Sequence, residues 1–285
     1  MAVSSGSLPA IPMNERKYTI VSVIRSQRNL SSYEYENSTA NLYNFSRRYT
    51  ERIPKRRRRW LAYNIESAMN RLYLDAQRIT EYYNKDSNAV HEYKRTTAKS
   101  CIQQMLDLEK SLMVLWNVQR YETKKMAAWV ELANHVIAMF GKVADVDVSN
   151  AKLSMLDWKA INEMRFLKVM SELHRYIHGK IVHEKMIYDN SIGASMASVA
   201  DDAFYSVMKA NMRYPTTKAE YEKRKKLMSE AISLLHMLNR SMISYFNLMQ
   251  CSERVMREWS DLLIEELNLL YAVQASDKKR FGKLK

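Results

Sequence analysis

Residues 101–116 read CIQQMLDLEKSLMVLW, and within them Ile102, Met105, Leu108, Leu112, Leu115 and Trp116 recur mainly at intervals of three and four. An α-helix has 3.6 residues per turn, so such positions share one stripe of its surface. No glycine or proline interrupts the stretch. It reads as a long helix, running to about Gln119, that packs one face against other helices.

The same rhythm continues on both sides. Upstream, Leu61, Ile65, Ala68, Leu72 and Ala76 predict a helix over about 57–83, and the polar turn NKDSN at 84–88 separates it from the next. An earlier helix, about 24–52, is stopped by Pro54, which lacks an N–H and pushes Ile53 off helical angles. Downstream, Met126, Trp129, Val130, Ala133, Ile137 and Phe140 predict a helix over 121–142 with Gly141 as its terminator. Four helices with short connections are expected to close a bundle over residues 18–143. Residues 1–17 read as a disordered lead, with Pro9 and Pro12 among small residues.

ADVDVSNAK, residues 144–152, reads as a linker, and the plan then repeats. Helices are expected over about 153–187, 196–213 (before Pro215), 218–250 and 253–273. They form a second bundle over 153–275, followed by a mobile basic tail at 276–285. A shift of 130 residues sets Ser111 on Ser241, Met126 on Met256 and Trp129 on Trp259. The expected fold class is all-α, two tandem four-helix bundles.

Composition agrees with helices. Only 5 glycines and 4 prolines occur in 285 residues, leaving few places for tight turns. The formal charge is +14, with 23 Lys and Arg against 14 Asp and Glu in residues 1–145 and 22 against 17 thereafter. Such a balance favours polyanions: RNA, DNA or an anionic membrane surface. Two cysteines, Cys101 and Cys251, make no disulfide framework, and a reducing cytoplasm is the expected location. The N-terminal stretch lacks the apolar core of a signal peptide, and no run is long enough to span a membrane.

Catalytic patterns are missing from the sequence. There is no Walker or dinucleotide glycine pattern, no HExxH and no paired CxxC. HRYIHGKIVHE puts His174 and His178 on one helix face, with His183 and Glu184 further along; this is read as a wet helix face, and neither a metal nor a cofactor is expected. His91, His135 and His236 are isolated. No nucleophile can be paired with a base, so enzymatic activity is not expected.

The basic features differ in kind. IPKRRRRWLAY, Ile53 to Tyr63, places Lys55, Arg56, Arg57, Arg58 and Arg59 at the start of a helix, where cations oppose the helix dipole. Arg47, Arg48 and Arg52 precede them. Phosphate binding explains such a run, with arginine forks for bidentate contacts and Trp60 or Tyr63 for stacking. A solvated charged corner and a nuclear-localisation signal are the alternatives. Weaker candidates are Lys94, Arg95 and Lys99 opening the third helix, Lys124 and Lys125 opening the fourth, and Lys223–Lys226 in the second bundle.

Three segments carry a family resemblance: NLYNFSRRYTERIPKRRRRWL, LDLEKSLMVLWNVQRY and ELANHVIAMFGKV. Residues 40–143 resemble Avd, the accessory variability determinant of diversity-generating retroelements, a four-helix-bundle family. The resemblance implies a non-catalytic protein that binds a reverse transcriptase and structured template RNA, or an RNA/DNA hybrid, in support of mutagenic cDNA synthesis. It implies self-association as well, because the family forms a basic pentameric barrel, and it matches Pro54, Lys55 and the arginines that follow to the family's basic positions. The chain departs from the pattern in holding two bundles, and the second lacks the basic corner, reading MIYDNSIG at 186–193. A basic helical scaffold, or a phage-associated assembly protein, is the alternative.

Overall fold

A computed structural model describes residues 33–82, 87–183, 191–212, 214–249 and 252–284. Among these residues the regular structure is helical, without strands. The helices are α1 (Glu34–Thr50), α2 (Lys55–Leu61), α3 (Tyr63–Glu81), α4 (Asn88–Gln119), α5 (Thr123–Ala144), α6 (Trp158–Glu163), α7 (Arg165–His183), α8 (Ser191–Asn211), α9 (Lys218–Met249) and α10 (Glu253–Phe281). No described helix is long and apolar enough to cross a membrane. The expected lead at 1–17, the turn at 84–86 and Cys251 lie outside the described residues.

Helix packing falls into two closed circuits. In the first, α1 packs on α3, α3 on α4, α4 on α5, and α5 back on α1. In the second, α7, α8, α9 and α10 close in the same cyclic order. The stripe of α4 lies inward as its spacing requires: Met105, Leu112, Leu115 and Trp116 are fully buried, and Ile102 and Leu108 nearly so. Each circuit holds an edge-on aromatic pair, Trp116 with Trp129 at 6.3 Å and Tyr245 with Trp259 at 6.1 Å. The sequence shift of 130 pairs Trp116 with Phe246, so the structural match is one residue off.

α4 also packs against α7 and α8, and the apolar core runs through both circuits. The seam between them is polar. Glu109, 5% exposed in mid-stripe, accepts from Tyr205 Oη at 2.8 Å, Lys209 Nζ at 2.7 Å and Ser154 N at 2.6 Å. Lys110 pairs with Asp202. The Asn117 amide donates to the Ser171 carbonyl at 3.2 Å and accepts from the Ser171 hydroxyl at 2.6 Å.

Several boundaries differ from expectation. The segment after α5 is tied down from Leu153 onward. Leu153 and Leu156 are buried, Leu153 N donates to Asn134 Oδ1 at 2.8 Å, and Trp158 Nε1 donates to the Tyr121 carbonyl at 2.9 Å. The helix expected from residue 153 therefore starts only at α6, where Asp157 caps Lys159 N and Ala160 N. It breaks again at Met164, whose backbone is extended. Gly141 does not end α5; Asp145 does, in the left-handed region at φ 54°. Gly141 serves a close approach instead, since a Cβ there would lie 2.6 Å from Val148 Cγ2.

The expected basic tail is helical to Phe281. α10 continues because Asp277 and Phe281 are buried: Phe281 packs against Tyr214 and Tyr221, and Asp277 pairs with Arg224 at 2.6 Å. Arg224, within the cationic run 223–226, also donates to the Ala210 carbonyl at 2.7 Å, closing the end of α8. It is a core residue.

Glu266 on α10 is fully buried, and neither carboxylate oxygen has a hydrogen-bond partner among the described residues. Burial first, and the charge of Glu265 second, push its pKa well above the ordinary value. A pKa raised by folding gives stability that is complete below the unfolded pKa and is lost as pH rises toward the folded one. Glu266→Gln should therefore match the wild type near pH 4 in urea unfolding and gain on it by roughly 1.4 kcal/mol per pH unit above about 4.5. The gain ends at the folded pKa, and a pH-independent difference would contradict it.

Candidate nucleic-acid interface

Two buried anchors hold the cationic corner in place. Ile53 and Leu61 are each 4% exposed and flank the run between them. Thr50 O accepts from Ile53 N at 3.1 Å and ends α1, and Pro54, with φ −50° and ψ 135°, turns the chain into α2. With both ends sunk in the core, Lys55 and Arg59 face solvent, and Arg57 and Arg58 are half-buried.

The cations divide by partner. Arg47 pairs with Glu51 at 2.5 Å and Arg58 with Glu66 at 2.9 Å, so their charge is partly spent. Arg52 lies 5.6 Å over the Tyr49 ring. Arg48, Lys55, Arg57 and Arg59 have no partner among the described residues. The side chains of Arg56 and Trp60 lie outside the described set. Tyr63, 64% exposed, is the aromatic ring presented beside the run.

The two helix-opening groups lie at opposite ends of the first circuit. α5 begins beside the corner, where Tyr121 Oη donates to the Tyr49 carbonyl at 3.2 Å. Lys124 is exposed there, and Lys125 pairs with Glu122 at 3.0 Å. Lys94, Arg95 and Lys99 are instead about 32–39 Å away along α4, taking 1.5 Å per residue over the interval to Arg120. There Lys94 is buried, Arg95 pairs with Asp145 at 2.5 Å, and only Lys99 is exposed without a partner among the described residues. The structure thus separates these three from the corner.

Sequence reasoning missed Arg120 at the corner end, with φ 53° and its guanidinium 5.6 Å over Trp158. Its signal was a cation at the junction of two helices. Beside the corner, a polar cleft of about 250 Å³ is lined by Tyr43, Ser46, Arg47, Arg58, Glu66 and Asn70 together with Met69. Cys101 offers no nucleophile, because burial pushes its thiol up to about 12.

No family model, no curated protein and no solved structure matches this chain. The geometry of the site is therefore what speaks for its role. It offers a cationic end with an exposed tyrosine ring, suited to a phosphate backbone, which needs charge and forks more than an enclosed pocket.

Proposed function

We propose that this chain is a non-catalytic accessory protein that binds structured RNA through its cationic corner and serves a reverse-transcriptase complex. One observation carries the RNA-binding part. Arg48, Arg52, Lys55, Arg57, Arg59 and Lys124 gather at one end of the first circuit without acidic partners among the described residues, while the acids of that end are engaged with Arg47, Arg58 and Lys125. The pairing of that end with a polymerase rests on the resemblance of residues 40–143 to the retroelement accessory family.

The test is RNA binding by fluorescence anisotropy across a salt titration. Replacing Arg48, Arg52, Lys55, Arg57 and Arg59 with Gln should weaken binding at physiological salt. It should also reduce the slope of log affinity against log salt by roughly 0.7–0.9 for each phosphate that is no longer neutralised. Lys99→Gln, at the far end, should change neither. A five-site variant that stays helical and keeps both affinity and slope would sink the corner's role. Failure of a neighbouring reverse transcriptase to co-purify would remove the polymerase while leaving RNA binding intact.

A further inference from the structure

Where α7, α8 and α4 meet, three ligand atoms converge outside the cationic end. His174 and His178 lie one turn apart on α7, the first fully buried and the second 4% exposed. Their Nε2 atoms approach the same oxygen, Asp201 Oδ1 on α8, at 2.9 and 2.6 Å, and all three ligand atoms lie within 4.8 Å of one another. We propose that His174, His178 and Asp201 bind a divalent transition-metal ion of the zinc class.

Donor chemistry sets the class. Two imidazoles and one carboxylate form a borderline set that zinc, cobalt and nickel accept at nearly tetrahedral geometry, whereas calcium and magnesium want oxygen alone. An i, i+4 histidine pair with a third donor from the neighbouring helix is how helical bundles present such ions.

Charge favours a cation as well. Among the described residues Asp201 is paired with the two histidines and with no lysine or arginine, so no fixed side-chain cation of that kind already occupies its carboxylate. Asp201 is partly exposed, which leaves the open side of the site to water as a fourth ligand.

Asn117 on α4 supplies the outer layer, 2.9 Å from His174 Nδ1. As placed, its amide NH2 donates to Nδ1, which puts the His174 proton on Nε2. Metal binding needs that proton on Nδ1, so the Asn117 amide must turn and present its oxygen to the ring. The turned NH2 donates to the Ser171 hydroxyl, but the bond from Nδ2 to the Ser171 carbonyl is given up and a small shift must separate the two oxygens.

The experiment uses the full chain without a histidine tag and titrates Co2+ as a spectroscopic probe, followed by Zn2+. One equivalent of Co2+ should give visible d–d bands that Zn2+ abolishes, and Zn2+ should raise the thermal midpoint. Asp201→Asn and His178→Gln, folded by circular dichroism, should bind about 100-fold more weakly. A wild-type protein with neither bands nor Zn2+ stabilisation overturns the proposal whether or not the variants fold. Binding retained in both variants places the ion elsewhere and overturns it equally.

Discussion

Asp277→Ala should destabilise the protein by about 3–5 kcal/mol, the usual cost of stripping one partner from a buried ion pair. Asp277 and Arg224 side chains are each 10% exposed. Without the carboxylate, the guanidinium loses the acidic partner at 2.6 Å while its charge stays largely out of water. A urea titration followed by circular dichroism measures the loss. Replacing both residues, as Arg224→Met with Asp277→Leu, should restore most of it, because an apolar pair leaves no orphan charge. Equal loss in the single and double variants would mean that the site is held by packing of Phe281 and not by charge. Truncation after residue 275 should cost at least as much as Asp277→Ala, because it removes buried Phe281 as well, contrary to what a mobile tail would allow.

Trp129→Ala should cost a similar amount, about 3–5 kcal/mol, as large aromatic deletions in cores do. Trp129 is 1% exposed, and its ring lies 5.7 Å from Phe45, 5.8 Å from Tyr49, 6.3 Å from Trp116 and 6.4 Å from Tyr121. Those partners come from α1, α4 and the junction leading into α5, so one side chain joins the elements beneath the cationic corner. The indole N–H has no hydrogen-bond partner among the described residues. Trp129→Phe should therefore lose only volume and cost clearly less than alanine. The check is denaturant unfolding of both variants, with RNA affinity measured below the transition. Equal costs for phenylalanine and alanine would show that the ring cluster does not hold the corner together.

Local order was legible in the sequence, and long-range partnership was not. The stripe from Ile102 to Trp116 is buried as its period demands, and Pro54 does end a helix. Periodicity reports which face of a helix is apolar and says nothing of what satisfies a polar residue on that face. Glu109, Asn117 and Arg224 were invisible for that reason, since the partners named above lie 45 to 100, 54 to 57 and 14 to 53 residues away. The same blindness made 276–285 read as a mobile tail, where α10 runs on to Phe281. At the cationic corner the sequence named the run, but it could not separate Arg47 and Arg58, already paired, from Arg57 and Arg59. Nor could it show that Lys94, Arg95 and Lys99 sit at the opposite end. The spacing put His174 and His178 on one helix face, but that face was read as wet and both rings are buried, and Asp201 was not legible because only the packing of α8 on α7 brings it there.

The polar seam along α4 has a consequence for mass action. Glu109, Lys110 and Asn117 meet groups on the second circuit that belong to the same polypeptide. Two separate bundles meeting through such a seam would part on dilution, whereas a covalent connection keeps the effective concentration of one for the other high at any protein level. The seam can therefore be built from hydrogen bonds and ion pairs, each worth little alone, and still remain closed in a cell that holds very few copies.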